Sequence, residues 1–158
     1  MALKADRRML APENIRYVSG NAIVEGAAVI LGTQGTGDGV GQALDAAAVV
    51  AASYAGAPPS GTKFLGVSLD AVVSIDTTVT PRTSYPTTTR KIGEPFAVAE
   101  YAELWTNMIV GTPALEGDAY LAADSKFGTA AVNSNPVVGK WKSTKDANGY
   151  ALLQIKTL

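Results

Sequence analysis

The C-terminal stretch of the chain, residues 113–158, alternates short apolar runs with turn sequences. The runs contain Tyr120, Val138 and Leu152, and the dipeptide Asn148-Gly149 before the last run tolerates positive φ. Three short strands joined by turns form a β-meander, which needs another layer to cover its apolar face. This stretch therefore predicts an all-β protein in which a second sheet packs on the meander.

The composition argues against several classes of protein. A chain of 158 residues corresponds to one domain, and a formal net charge of −1 provides no field that would attract a nucleic acid or an acidic membrane. The apolar runs are far shorter than the roughly 20 residues that cross a bilayer, and no signal peptide is recognisable. We expect a soluble protein made in the cytoplasm, without nucleic-acid or membrane partners. Only 17% of residues are charged, which suits either a protein covered by partners or an ordinary alanine-rich domain.

The side chains that most enzymes use are missing. The chain has no cysteine and no histidine, which removes disulfides, thiolate and imidazole metal ligands, and the commonest general base. Asp118 and Asp124 lie in turns, where aspartate normally bonds to its own backbone. The glycine-rich residues 32–41 lack the Lys and Ser/Thr of a phosphate-binding loop. We therefore expect no catalytic residue, no cofactor and no metal site, and hence no enzyme.

The N-terminal segment, residues 1–18, mixes cationic and apolar residues and is too short to form its own core. It is either a frayed terminus or an arm that lies on a neighbouring protein. The apolar residues favour the arm, because a solvated tail has little use for them. The residues expected to contact a partner are Leu3, Lys4, Arg7, Arg8, Met9 and Leu10.

An apolar strand at residues 27–31 and one short helix are expected between residues 22 and 54. The dipeptide Glu25-Gly26 separates the apolar pair Ile23-Val24 from the apolar residues 27–31. Residues 45–54 are rich in alanine, begin with a capping aspartate and precede Gly-Ala-Pro-Pro, which predicts a short helix. A buried strand is the alternative for residues 48–52.

Residues 64–69 and 71–75 are predicted to be strands, and the threonine-rich residues 76–90 follow them. Pro81 and Pro86 exclude a central strand there, while threonine suits extended backbone. We expect a long projecting loop or edge hairpin that presents Arg82, Tyr85 and Arg90 to a partner. A site of phosphorylation or glycosylation is the alternative.

Residues 96–109 alternate in part between apolar and polar side chains. Phe96, Val98 and Glu100 share one parity, whereas Tyr101, Glu103 and Trp105 share the other. A strand pair or one bent strand is predicted, with a helix as the alternative because Ala-Glu-Tyr-Ala-Glu-Leu also suits a helix.

The two halves of the sequence resemble each other weakly. The dipeptide Glu25-Gly26 precedes an apolar strand, and so does Glu116-Gly117, at an offset of 91 (116 − 25). An apolar pair precedes Gly66 and another precedes Gly139, at an offset of 73 (139 − 66). Two halves that each present an apolar sheet face could bury those faces against one another.

These patterns together predict a small β-sandwich or barrel-like body with at most one short helix. The body comprises residues 19–158, with a projecting loop at 76–91 and an extended N-terminal arm at 1–18. Its core should include the large apolar residues near the C-terminus, which are Trp141, Tyr150, Leu152 and Ile155.

Several C-terminal motifs resemble those of the capsid decoration proteins, or cement proteins, of tailed bacteriophages. They are the turn and strand Glu-Gly-Asp-Ala-Tyr-Leu at 116–121, the turn Gly128-Thr129, the strand Pro-Val-Val-Gly at 136–139, and the last strand at 149–155. The similarity covers mainly residues 92–158. The N-terminal segment and residues 76–90 are additional to the smaller members of that family.

The resemblance implies a non-enzymatic protein of the virion that binds the outer surface of the assembled capsid. Its partners would be the major capsid protein and further copies of itself, most often in a trimer that reinforces junctions between capsomers. A component of the phage tail or baseplate, or another β-rich binding module, is the alternative.

Overall fold

The computed structural model describes residues 3–9, 14–32, 49–69, 74–75, 84–85, 89–90 and 95–156, and the structural statements below concern these residues. This part of the chain is nearly all β, as predicted, with one 3₁₀ turn at Ala123–Ser125. The strands are β1 Leu3–Met9, β2 Asn14–Ser19, β3 Ile23–Val24, β4 Ala28–Leu31, β5 Val49–Ala52, β6 Phe64–Ser68, β7 Ser74–Ile75, β8 Ser84–Tyr85, β9 Thr89–Arg90, β10 Pro95–Ala99, β11 Tyr101–Thr106, β12 Ile109–Val110, β13 Asp118–Ala122, β14 Lys126–Gly128, β15 Val137–Trp141 and β16 Ala151–Lys156.

Five strands of the N-terminal half form a closed barrel in the order β10-β2-β5-β4-β6. β2 and β5 are parallel, and the other neighbours are antiparallel. Alternate residues of these strands form one buried cluster, which includes Val29, Leu65, Phe96 and Val98. Closure leaves these five strands with no open edge for pairing with other chains.

The C-terminal half forms most of a seven-stranded sheet in the order β1-β11-β16-β15-β13-β14-β12. β13 pairs with β15 and β15 with β16, all antiparallel. The meander predicted for residues 113–158 is therefore confirmed. The structure adds β14, which pairs with β13 on its other side.

The pairing of β4 with β6 is repeated between β13 and β15. Each strand pair contains two register pairs, then a bulge, then a third pair. The pairs are Ala28–Val67, Val29–Gly66 and Ile30–Phe64 in the barrel, and Asp118–Lys140, Ala119–Gly139 and Tyr120–Val137 in the second sheet. Each of these residues on β13 lies 90 positions after its counterpart on β4 (118 − 28). Each of these residues on β15 lies 73 positions after its counterpart on β6 (140 − 67).

The remaining strands of the barrel also have counterparts in the second sheet. β5 corresponds to β14 at an offset of 76, and β10 corresponds to β16 at an offset of 55. β2 corresponds to β11 and β12 together, because β12 pairs in parallel with β14 as β2 does with β5. Since β11 and β12 are separated only by Asn107 and Met108, the second sheet repeats the barrel arrangement, and β1 is its one strand without a counterpart.

The two halves share a buried core. Ala28, Val67 and Ala97 from the barrel belong to the same apolar cluster as Leu104 and Leu153 from the second sheet. The rings of Phe64 and Phe127 meet edge to face across the two halves, with centroids 6.2 Å apart. The packing of two sheets that the sequence predicted is therefore present.

The N-terminal segment differs from the predicted arm. β2 crosses the boundary predicted at residue 18 and lies between β10 and β5 in the barrel, which could not close without it. β1 pairs with β11 at the edge of the second sheet. The described residues of the segment therefore belong to both sheets, because main-chain groups of β11, β10 and β5 pair with them.

The helix predicted for residues 45–54 is wrong where the structure describes it, since Val49–Ala52 is strand β5. Of the alternative, a buried strand at residues 48–52, the strand is present at residues 49–52, and residues 45–48 lie outside the described part. Ala51 is fully buried in the barrel cluster. β5 pairs with β2 on one side and β4 on the other, so tertiary pairing overrides the helix propensity of alanine.

The other strand predictions can be compared residue by residue. Residues 64–68 of the strand predicted at 64–69 form β6. Residues 96–109 contain the successive strands β10 and β11 rather than a helix, but these two strands lie in different sheets and do not pair with each other. Of the strand predicted at 71–75, only β7 is described. Within the predicted loop 76–91, β8 pairs with β7 and β9 pairs with β3, while the rest lies outside the described residues.

The predicted core residues near the C-terminus divide into two groups. Trp141 and Ile155 are fully buried, as expected. Tyr150 and Leu152 are only half-buried, because β16 turns its other parity, including Leu153, into the core. The strand is therefore not covered equally on both faces.

Candidate functional site

The residues predicted to bind a partner lie in several separate places. Leu3, Lys4, Arg7, Arg8 and Met9 are together on β1. Tyr85 is on β8 and Arg90 is on β9, two short strands that belong to two other sheets. Leu10 and Arg82 lie outside the described residues. The structure thus brings together the N-terminal residues of the predicted set and does not bring the others to them.

β1 is an edge strand of the seven-stranded sheet. Its register places Leu3 opposite Thr106, Arg7 opposite Leu104 and Arg8 opposite Glu103. On its far side β1 has no strand neighbour within the described part of the chain. An edge strand offers main-chain N–H and C=O groups to another strand, and charged residues on it limit unspecific pairing.

The outer face of the second sheet carries a row of polar side chains across four strands. Following the register from β11 to β13, the row contains Glu103, Gln154, Lys140 and Asp118. The Gln154 amide donates a hydrogen bond of 3.2 Å to Glu103 Oε1. The row combines negative, neutral and positive side chains, which suits contact with water or with a polar partner. Glu103 shares this face with Tyr101 and Trp105, as their common parity in the sequence predicts and as the burial pattern of β11 shows.

The turn before β13 presents an apolar residue that sequence analysis did not single out. Leu115 is 67% exposed, the highest value among the large hydrophobic residues described. Beside it, Lys142 Nζ lies 2.7 Å from Glu116 Oε1, and this hydrogen bond with Lys142 lowers the pKa of the Glu116 carboxyl. A leucine in a turn of polar and small residues was the signal that could have revealed this position.

A cleft of about 320 Å³ opens where the two halves meet. Its walls come from the residues before and at the start of β6 and from the start of β15. Phe64, Pro136 and Val138 supply apolar surface, while Lys63 and Lys156 supply positive charge. The cleft could accept a ligand that has both an apolar part and an acidic group. No local sequence pattern predicts the cleft, because its walls come from both halves of the chain.

Hydrogen bonds around Tyr54 join the two halves at another point. Its hydroxyl donates to Ala122 O at 2.8 Å, and its backbone N–H donates to Ser125 Oγ at 2.7 Å. The Asp124 carboxylate accepts from the Gly56 N–H at 2.8 Å. Burial, together with the negative charge of Asp124, raises the pKa of Tyr54 far above its usual value. These groups are engaged with one another, so the arrangement holds the halves in place.

The described residues contain no group of three or more acidic side chains that could hold a metal ion. Among the same residues, no helix is long and apolar enough to cross a membrane.

No known protein family and no curated protein matches this sequence.

Proposed function

We propose that this protein is a structural component of a phage virion that binds the outer surface of the assembled capsid. It acts there as a homo-oligomer, in the trimeric form that the resemblance implies, and stabilises the junctions between capsomers. A ligand that binds only the assembled lattice favours that lattice by mass action, so the protein would strengthen the shell without catalysis.

One observation carries the proposal. The motifs that resemble decoration proteins lie on β13, β15 and β16, which are adjacent strands of one sheet. Residues from these strands, including Leu121, Val138 and Leu153, belong to one buried cluster. The resemblance therefore concerns a single structural unit, which supports a common architecture more strongly than scattered short matches would.

The surfaces available for contact are consistent with attachment to a protein lattice. β1 offers a strand edge that carries Lys4, Arg7 and Arg8. Leu115 offers an exposed apolar anchor on the turn before β13. A lattice presents each contact many times, so modest individual contacts can give firm attachment when several copies are joined.

Cryo-electron microscopy of purified particles tests the proposal. Particles that carry the protein should show regularly spaced additional density over the outer shell, and particles from a deletion strain should lack it and rupture at lower temperature. Density confined to the tail or baseplate would instead support the alternative function. Absence of the protein from purified particles would contradict both.

A further inference from the structure

β1 is the strand of the second sheet that the repeated arrangement does not require. All other strands of this sheet have a counterpart in the barrel. The barrel closes with five strands, and the second sheet has its own five when β11 and β12 are taken as one. β1 is therefore added to the outside of a complete unit, and its removal would leave the remaining strand pairs intact.

The strand and its acceptor have complementary charges. β1 has the sequence LKADRRM, with Lys4, Arg7 and Arg8 against a single acidic residue, Asp6. β11 contains Glu103, the register partner of Arg8, and Glu100 directly precedes it. Opposite charges across an antiparallel pair stabilise the pairing, whereas like charges destabilise it.

The same charges disfavour pairing of β1 with the β1 of another copy. An antiparallel pair centred on Asp6 would place Lys4 of one copy opposite Arg8 of the other. The edge that suits β1 in a second copy is therefore β11, as it is within one chain.

β1 is joined to the barrel by a short connection. Four residues, 10–13, separate Met9 from Asn14, and they allow a separation of at most about 18 Å between the ends. β2 is held in the barrel of the N-terminal half, whereas the acceptor β11 belongs to the other half. A terminal element on such a connection can be exchanged between copies at little cost, because the exchanged form keeps every contact of the closed form.

We infer that β1 is an exchanged strand, which pairs with β11 of a neighbouring copy in the homo-oligomer. The partner is a second copy of this chain, and the acceptor surface is the edge of β11 from Ala102 to Thr106. The inference rests on the oligomer in the proposed function and identifies the contact that holds it together. It also gives the basic residues of β1 a specific role, which is recognition of the acidic edge next to Glu103.

Engineered cysteines test this inference directly, because the chain contains no cysteine of its own. Arg8→Cys and Glu103→Cys are placed in separate chains with different affinity tags, and the two chains are refolded together and oxidised. Directly opposed residues of an antiparallel pair are about 4.5–5.5 Å apart at Cα, which a disulfide can span. Exchange predicts a covalent dimer that carries both tags.

The matched control uses the other side of the same strand. Tyr101 and Lys156 are register partners on β11 and β16, within one half of one chain. A mixture of Tyr101→Cys and Lys156→Cys chains should give no dimer with both tags, whereas the double variant should cross-link within the chain. This control shows that the oxidation reports pairing rather than collision.

The outcomes separate the two proposals when light scattering gives the oligomeric state of the full chain. One outcome is that the full chain is an oligomer but the Arg8→Cys/Glu103→Cys double variant cross-links only within a chain. This result would overturn the exchange and leave the proposed function standing. A monomer at micromolar concentration would overturn the exchange and the oligomer in the proposed function. If the double variant forms no cross-link of either kind, β1 does not pair with β11, and the exchange is overturned on that ground.

Discussion

Gly66 and Gly139 face the carbonyl oxygens of Ala99 and Gln154, two residues that occupy corresponding positions in the two halves. A Cβ on either glycine would lie less than 3.0 Å from that oxygen. Gly66 corresponds to Gly139 at the offset of 73, and Ala99 corresponds to Gln154 at the offset of 55. The close approach of these strands is therefore a repeated feature of the architecture.

We expect Gly139→Ala to destabilise the protein by about 1–3 kcal/mol, the usual cost of overpacking. The added methyl group must displace the main chain of β16, which cannot move like a flexible side chain. Urea unfolding measures the change. Gly149→Asn is the control. A Cβ at position 149 would meet nothing within 4 Å, and asparagine tolerates the φ of +81° at this position. Equal stability of Gly139→Ala and the parent protein would contradict the packing of β15 on β16.

Neighbouring leucines on β16 provide a second prediction. Leu153 is fully buried, so Leu153→Ala should lower the free energy of unfolding by about 2–5 kcal/mol. Leu152 is half-buried on the opposite face, and Leu152→Ala should cost clearly less. The two variants remove the same atoms from adjacent positions, so their difference reports burial alone. A larger loss for Leu152→Ala would show that the strand faces the other way.

The sequence predicted the C-terminal meander and the strands β4 and β6, but it misaligned the repeat by one residue at one turn. It matched Glu25-Gly26 to Glu116-Gly117, whereas the strand register matches Gly26 to Glu116. Gly26 has a φ of 80° and Glu116 a φ of 59°, so both occupy the left-handed position of the turn. Glycine is the residue expected there, and a glutamate in that conformation leaves no sign in the sequence. The offset of 73 between Gly66 and Gly139 was correct, because strand glycines in close contact are constrained by the fold.

Other features depend on contacts that sequence patterns do not contain. The pairing of β1 with β11 joins segments about 95 residues apart, and the cleft beside Phe64 needs both halves. The local propensity of residues 49–52 favours a helix. These residues form a strand because they pair with β2 on one side and with β4 on the other. Of the residues predicted to contact a partner, the structure brings together only those that are nearly consecutive in the sequence, on β1.

The turn at Glu116 predicts a dependence on pH at the acidic end. Its pKa is lowered in the folded protein, so its contribution to stability is present above the pKa of the unfolded chain and is lost as pH falls through the folded pKa. NMR titration should place the Glu116 carboxyl below its ordinary pKa, and Lys142→Met should raise it because the hydrogen bond is removed. An unchanged pKa in Lys142→Met would show that the ion pair is absent in solution.

Tyr54 predicts a dependence on pH at the alkaline end. Its pKa is raised in the folded state, so the folded form is favoured below the pKa of an unfolded tyrosine, about 10, and loses stability as pH rises above it. The Tyr54 hydroxyl should ionise only together with unfolding, as followed by absorbance of tyrosinate. Tyr54→Phe should abolish that late step and cost about 0.5–1.5 kcal/mol at neutral pH through the lost bond to Ala122 O. Asp124→Asn should bring the step to lower pH, because the carboxylate contributes to the raised pKa.

Two N-terminal deletions should have opposite consequences for folding. Removal of residues 2–9 deletes β1, which has no counterpart in the barrel, so circular dichroism and the cooperative melting of the remaining chain should persist. Removal of residues 2–19 also deletes β2, which lies between β10 and β5. The barrel would then have two unpaired edges and a core open to water, and we expect loss of cooperative melting. If both deletions unfold the protein, β1 is an integral strand of the body. If both leave it folded, the closed barrel is not needed for stability. The shorter deletion also tests attachment, because a folded protein that no longer assembles, or no longer remains on capsids, would place the contact in β1 alone.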